Sequence, residues 1–173
     1  MVRTEKINTT EIWKILETVT DPEIPVLSVV DMGIIRDIQL TENNMHDKPD
    51  VAITITPTYT GCPAMDVIAT SIRLVLIENG YTRHSIKTVL APAWTTDWMT
   101  ETGKQKLKAY GIAPPQTKST IPSINQKEGE EKIQCPQCSS FNTKLISRFG
   151  STACKALYQC QDCKEPFDYF KCH

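Results

Sequence analysis

Two cysteine pairs, Cys135-Pro136-Gln137-Cys138 and Cys160-Gln161-Asp162-Cys163, constrain this chain more than any other feature. A C-x-x-C on a tight turn aims two thiolates at one point, and two such turns supply the four sulfur ligands of tetrahedral zinc. The separation of the pairs resembles that of a zinc ribbon. A segment of roughly 40 residues cannot bury enough apolar surface to fold alone, so bound metal would provide much of its folding free energy. Zinc is the expected metal for Cys135, Cys138, Cys160 and Cys163. An iron–sulfur cluster uses the same four thiolates and is the alternative. The bland alternative is four free cysteines in a small β unit. Of the other two cysteines past residue 134, Cys154 is expected to pack inside the ribbon as a small apolar residue. Cys172, beside His173 at the chain end, is expected to fray rather than bind metal.

The setting follows from the rest of the composition. The stretch MVRTEKINTTEIWK lacks the apolar core of a secretory signal, and no apolar run approaches the roughly 20 residues that cross a bilayer. A cytosolic, reducing compartment and no membrane partner are therefore expected. There, seven cysteines, an odd count, read as metal or redox chemistry rather than disulfides. With 19 basic against 20 acidic side chains the formal net charge is -1, which argues against a nucleic-acid partner. Lys144, Arg148, Lys155 and Lys164, read as exposed, give that partner only slight support.

Along the chain, residues 8–19 place Ile12, Ile15, Leu16 and Val19 at helical spacing, with Asn8 and Glu11, or Thr9, as the start signal. Pro22 and Pro25 stop this helix. A strand is expected from about Ile34, then a polar loop over 41–50. VAITIT follows, where Val51, Ile53 and Ile55 alternate with Ala52, Thr54 and Thr56 in the period of a half-buried strand. The two strands are expected to form a hairpin. MDVIATSIRLVLIENG reads as a helix with Val67, Ile68, Ser71, Ile72, Val75 and Leu76 on one stripe. SIKTVLAPAW reads as a third strand ending at Pro92. TDWMTETGKQKLKAYG reads as a weaker helix, blemished at Gly103 and ended by Gly111. This order describes a small α+β domain, residues 1–113, with helices over one face of a short sheet. A Pro-, Ser-, Lys- and Glu-rich linker follows over 114–133, and the cysteine-rich β domain occupies 134–173. No internal repeat is apparent.

The seventh cysteine, Cys62, stands alone in TYTGCPAMD, between the strand that ends at Pro57 and a helix that begins near Ala64 or Met65. Helix-terminal N–H groups and the helix dipole stabilise a thiolate at such a place. Pro63 suits the first helical turn, and Gly61 permits a sharp bend and close approach by a partner. A ligating or reactive thiolate is thus reasonable, and so is a buried cysteine plugging the junction. No histidine neighbours it in sequence to act as a base, and His46 and His84 read as ordinary surface residues. Asp21, Glu23 and Asp31, in DPEIP and VVDMG, could cap their own turns. They could instead join Cys62 if these connections fold over one end of the sheet.

Taken together, DPEIPVLSVVDMGIIRDI, the T-x-T-x-T strand at 54–58 and TGCPA resemble the SufT-like domain family of iron–sulfur protein maturation, over about residues 10 to 113. APAWTTDWMTETGKQKLKAYGIAPP and the cysteine-rich tail further resemble the D-subunit family of phenylacetyl-CoA oxygenase (epoxidase) systems. In these a SufT-like domain precedes a cysteine-rich ribbon. The resemblance implies an accessory role in maturing the metal centres of partner subunits. Those partners are a di-iron catalytic subunit and an iron–sulfur flavin reductase. It also implies a transient iron or iron–sulfur cluster at Cys62, with Asp21 matching the acid of the family's D-P-E; Asp31 is a further candidate on its placement in VVDMG alone. A non-catalytic interaction subunit is the alternative. The chain has no Glu-x-x-His pairs for a di-iron site, no G-x-G-x-x-G and no P-loop, so it is not expected to catalyse oxygenation alone.

Overall fold

The computed structural model describes residues 9–42, 47–116 and 133–171. It forms two compact units that divide between Trp94 and Thr95. The first unit contains helix α1 (Thr10–Leu16), strands β1 (Ile35–Thr41) and β2 (Asp50–Ile55), helix α2 (Ala64–Glu78) and strand β3 (His84–Thr88). The second contains a 3-10 turn (Thr96–Trp98), helix α3 (Glu101–Tyr110) and strands β4 (Thr143–Ser147), β5 (Lys155–Cys160) and β6 (Pro166–Phe170). The class is α+β, with a separate β-rich cysteine region. Among the described residues no helix is long and apolar enough to cross a membrane.

Helix α1 buries Ile12, Ile15 and Leu16 but ends at Leu16, short of Val19. Val19 is instead the first residue of a folded-back loop, where the Val29 N–H donates to its carbonyl. Thr9 occupies the N-cap position without a side-chain cap bond, and Asn8 lies outside the described residues. Glu11 does not reach back to the cap. Its carboxylate takes a 2.7 Å ion pair from Lys48. The same ammonium sits 4.3 Å over the Tyr81 ring. The Lys48 hydrogen bond holds the Glu11 carboxyl below its ordinary range.

The hairpin is present. β1 and β2 pair antiparallel, with Ile38 opposite Ile53, Leu40 opposite Val51 and a bulge between Ile35 and Asp37. β3 lies on the other side of β2 and parallel to it, with Ile86 opposite Ile53. A parallel pair needs a crossover, and α2 supplies it. The central strand buries Val51, Ile53 and Ile55 and leaves the residues between them half-buried. β3 stops at Thr88 rather than at Pro92 because its neighbour β2 ends at Ile55. One last bond, from the Val89 N–H to the Ile55 carbonyl (2.9 Å), closes the ladder.

On α2 the buried stripe is Ala64, Ile68, Ile72 and Leu76, narrower than the sequence pattern suggests. Val67 is 51% exposed, with Leu74 and Ile77, because at about 100° per residue it has turned to the far side of the helix. In the second unit the expected long helix is two pieces. Thr100 caps α3 by accepting from the Gly103 N–H at 2.9 Å, so Gly103 sits in the first turn rather than in the interior. Gly111, at φ 91°, ends the helix in the left-handed conformation that glycine adopts freely.

The three strands β4-β5-β6 form an antiparallel sheet. Ala113 adds a parallel bridge to Tyr169, with its N–H donating to the Asp168 carbonyl at 2.8 Å and its carbonyl accepting from Phe170 at 3.0 Å. Around it the core collects Ile133, Cys135, Ala156, Tyr158, Cys160, Phe167 and Tyr169. Tyr158 stacks on Phe167 and meets Tyr169 edge-on. Cys154 is buried. Lys155 is not a surface residue as expected. It is 6% exposed, with its ammonium 3.8 Å from the Asp168 carboxylate, because the start of β5 is covered by the Gly150 turn. Residues 117–132, most of the linker expected over 114–133, and the terminal Cys172 and His173 lie outside the described residues.

The two faces of α2 make a direct test. Leu76→Ala should cost about 2–5 kcal/mol of stability in urea unfolding, as a fully buried aliphatic truncation does. Leu74→Ala, on the exposed face, should stay within about 0.5 kcal/mol of the parent.

Candidate functional site

The sulfurs of Cys135, Cys138, Cys160 and Cys163 lie within 4.8 Å of one another. Cys135 Sγ is 3.7 Å from Cys163 Sγ, and Cys138 Sγ is 3.5 Å from Cys160 Sγ. Thiolates at about 2.3 Å from a tetrahedral zinc stand roughly 3.8 Å apart, so these spacings suit one four-coordinate ion. A multi-iron cluster interposed between the sulfurs would hold them farther apart. Cys135 and Cys160 are buried while Cys138 and Cys163 face outward, so the site is rooted in the core and open to metal from one side.

The two turns that carry the thiols are built alike. The Cys135 N–H donates to the Ser140 carbonyl at 2.9 Å, and the Cys160 N–H to the Glu165 carbonyl at 3.0 Å. Ser139 and Lys164, each immediately after the second cysteine of its pair, adopt positive φ of 61° and 67°. The side-chain amide of Gln134 donates to the Ser139 carbonyl at 3.1 Å, and that of Gln159 to the Lys164 carbonyl at 3.2 Å. The signal for these clamps is a short repeat, Q-C-x-x-C, at 134–138 and 159–163. It escapes a search for repeats because it is only five residues long.

Asp162 ties one turn to the other. Its carboxylate accepts from the Ser140 hydroxyl and, at 2.7 Å, from the Asn142 amide, and those two bonds hold its pKa below the usual range. The thiols themselves are unequal. The Cys163 backbone N–H brings the Cys160 thiol down to about 7 against the opposing effect of desolvation. Cys163 is pushed up to about 12: the Glu165 N–H lowers it, but desolvation and the neighbouring thiols outweigh that donor.

Cys62 occupies a different kind of site. Gly61 at φ 82° turns the chain, the Cys62 N–H donates to the Tyr59 carbonyl, and α2 begins two residues on at Ala64. The thiol is half-exposed. The register of the sheet brings the acid-bearing turns to the same end. Ile35 at the start of β1 pairs with Ile55 at the end of β2, and the Thr56 N–H donates to the Ile34 carbonyl at 2.9 Å. The turn holding Asp31 therefore enters the sheet where the Cys62 turn leaves it. Trp94 closes the same end, its buried indole N–H donating to the Met32 carbonyl at 2.9 Å. Thr56, between β2 and the Cys62 turn, has a buried hydroxyl with no hydrogen-bond partner among the described residues. Thr56 falls within the T-x-T-x-T strand and Trp94 within APAW, but neither reads as a site residue in the sequence, since each resembles an ordinary strand-end residue.

The carboxylates are used inside their own turns. Asp21 Oδ1 accepts from the N–H groups of Glu23 and Ile24 at 2.8 and 2.9 Å. Asp31 Oδ2 accepts from the N–H and hydroxyl of Ser28 at 3.1 and 2.9 Å. Both aspartates are buried. Among the described residues the four ribbon thiols are the group of three or more metal-ligating side chains gathered within 4.8 Å; Cys62, Asp21 and Asp31 do not form another. His84 belongs to the opposite end of the sheet. It pairs with Val51 at the start of β2, and its Nδ1 lies 2.9 Å from the Tyr81 carbonyl. His46 lies outside the described residues.

Two outcomes follow from the thiol turns. Stripping metal from the folded chain with a thiol-competitive chelator should unfold the β4–β6 sheet while α1 and α2 keep their far-UV signal, and re-adding zinc should restore it. Ser139→Val should lower the stability of the metal-loaded ribbon by about 1–2 kcal/mol, because a β-branched side chain opposes positive φ, whereas Ser139→Gly should be tolerated.

A family model described as an iron-sulfur cluster assembly protein matches residues 9–78, and one described as the PaaD zinc beta ribbon domain matches residues 119–171. An Escherichia coli (strain K12) protein, provisionally named as the D component of 1,2-phenylacetyl-CoA epoxidase, is 46% identical over 94% of this chain and 92% of its own length. An Fe-S protein maturation auxiliary factor from Porphyromonas gingivalis (strain ATCC BAA-308 / W83) is 35% identical over 53% of this chain and 82% of its own. The crystal structure of a domain of unknown function, DUF59, from Bacillus anthracis matches with a TM-score of 0.50 at 29% identity, covering 56% of this chain and 88% of that one. With its four thiols gathered in the ribbon and Cys62 at the sheet end of an assembly-type domain, the chain belongs to the PaaD family, the D-subunit family of phenylacetyl-CoA epoxidases.

Proposed function

We propose that this protein is an accessory maturation factor of a phenylacetyl-CoA oxygenase system, acting in aerobic phenylacetate breakdown. It assists iron or iron–sulfur assembly in the partner subunits, the di-iron catalytic subunit or the iron–sulfur flavin reductase. The observation that carries this reading is the contrast between the two thiol sites. Four converging thiols make a closed site that keeps its ion, and the 3.5 and 3.7 Å sulfur spacings favour a single zinc there. Cys62 is one half-exposed thiol at the start of a helix, where a bound ion keeps open positions and can leave. Transfer needs the second kind of site, and a rigid fold needs the first.

In this assignment Cys62 is the exchanging ligand for iron or a cluster as cargo. Asp21 and Asp31 act as positioning residues that hold the two acid turns at the Cys62 end of the sheet. The Thr56 hydroxyl, partnerless among the described residues, supports a polar guest at that end, since buried hydroxyls are ordinarily bonded. The first unit, which carries Cys62, presents the cargo. The domain from 134 holds zinc and docks the client.

The name of the E. coli relative, an epoxidase subunit, favours a second reading: a non-catalytic structural or interaction subunit of the oxygenase complex. Iron, zinc and acid-labile sulfide measured after anaerobic purification separate the two. Maturation predicts about one zinc per chain in both wild type and Cys62→Ser, as a closed four-thiolate site retains. It also predicts substoichiometric iron only in the wild type, and under-loaded client in cells carrying Cys62→Ser. Zinc alone in both proteins, with full client loading, would leave the interaction-subunit reading standing. Iron and sulfide kept in both would move the cluster to the ribbon.

A further inference from the structure

We propose that the outer edge of β4 and the turn after it form a docking strip for an acidic, aliphatic-bearing segment of a partner protein, added to the ribbon sheet as a further strand. β4 is the edge strand of the order β4-β5-β6, so one side of its backbone has no strand partner among the described residues. Unpaired strand edges accept extended segments through main-chain hydrogen bonds, and side-chain contacts then set the choice of partner.

The side chains along this edge are of two kinds. Leu145, Ile146 and Phe149 are 40%, 51% and 61% exposed, and they lie within five residues of one another. The register shift between Leu145 and Ser147 inserts Ile146 as a bulge, which concentrates two large aliphatic groups at one point of the edge. Between and beside them stand Lys144 and Arg148, both exposed. Lys171, just past β6 at the other edge of the sheet, reaches the turn end of the strip, its ammonium 4.3 Å over the Phe149 ring. Among the described residues no carboxylate lies within ion-pair distance of Lys144, Arg148 or Lys171. This contrasts with Lys48, Arg83, Lys104 and Lys155, each of which has an acid partner. Burial pushes the Lys171 pKa down, the Cys154 thiol opposes that, and the nearby Arg148 charge adds to the lowering.

Three unneutralised cations interleaved with three exposed apolar groups select for a complementary pattern of acids and aliphatics. A second copy of this edge would set lysine and arginine against the same charges, which is how natural edges discourage self-pairing. A phosphate backbone would use the cations but leave Leu145 and Ile146 without contacts, and the chain as a whole carries no basic excess. The inference goes beyond the role proposed for Cys62 and does not depend on it.

The test uses the full zinc-loaded chain and labelled decapeptides in fluorescence anisotropy. An alternating Glu–Val peptide should bind saturably, at least about tenfold more tightly than all-Glu or alternating Lys–Val peptides. Arg148→Glu and Phe149→Ala should each weaken it about tenfold, while Lys87→Glu on the first unit should not. Zinc content and unfolding midpoint, measured on every variant, keep loss of binding distinct from loss of folding. A Cys62→Ser chain should bind the peptide like wild type, so failure here and failure of the maturation reading are separable. The proposal is overturned if the Glu–Val peptide does not bind, or if all-Glu binds equally and Phe149→Ala has no effect. It is also overturned if an oligothymidine displaces the peptide and binds more tightly, which would make the strip a nucleic-acid surface. Sedimentation that reveals self-association abolished by Arg148→Glu would assign the edge to a second copy instead.

Discussion

Convergence of four sulfur atoms is the constraint on which the second unit depends. Its sheet has short strands and a small aromatic and aliphatic core around Tyr158, Phe167 and Tyr169. Two of the sulfurs, from Cys135 and Cys160, belong to that core as much as to the metal site. An ion that draws the four thiolates together therefore also pulls the start of the cysteine region onto β5, and the aromatic cluster closes over them. The outward pair, Cys138 and Cys163, is held by local turn geometry and by the Asp162 bridge to Ser140 and Asn142. Burial alone would be too small to hold such a unit, and a metal alone would not choose its topology.

The first unit depends on the end of one strand. β2 pairs with β1 on one side and β3 on the other, and all three strands meet the same boundary near Ile55. Three connections begin or end there: the turn with Asp31, the turn with Cys62 and the segment that leads to Trp94. Because each is fastened by backbone or indole hydrogen bonds, the thiol is presented by a stiff frame although it lies in a turn. This reconciles a half-exposed cysteine with a defined position, which any exchange of metal with a partner requires.

Much of this was legible in the residues. Alternation in VAITIT, the apolar stripe from Ile68 to Leu76 and the stop at Gly111 correspond to β2, α2 and the end of α3. The paired C-x-x-C motifs give the four-thiol cluster directly, since their spacing carries its own geometry. What could not be read were features set by tertiary partners. β3 ends where β2 ends, not where proline falls. Lys155 looks like any strand lysine until Asp168 and the Gly150 turn are placed beside it. Asp21 and Asp31 had two fates open, and only the positions of the Glu23, Ile24 and Ser28 N–H groups give their oxygens local partners. Ser139 and Lys164 carry positive φ although neither is glycine, so composition offered no warning.

The likeness of the two cysteine turns bears on how the ribbon captures its ion. Each turn is complete in itself, with its own glutamine clamp, its own left-handed residue and its own backbone bond closing the loop. A turn of this kind can hold two thiols in register before its counterpart arrives. Either half can then serve as the landing site for a passing ion, and the other half folds onto it. Capture thus has two starting points of like backbone geometry, although their thiols differ in acidity.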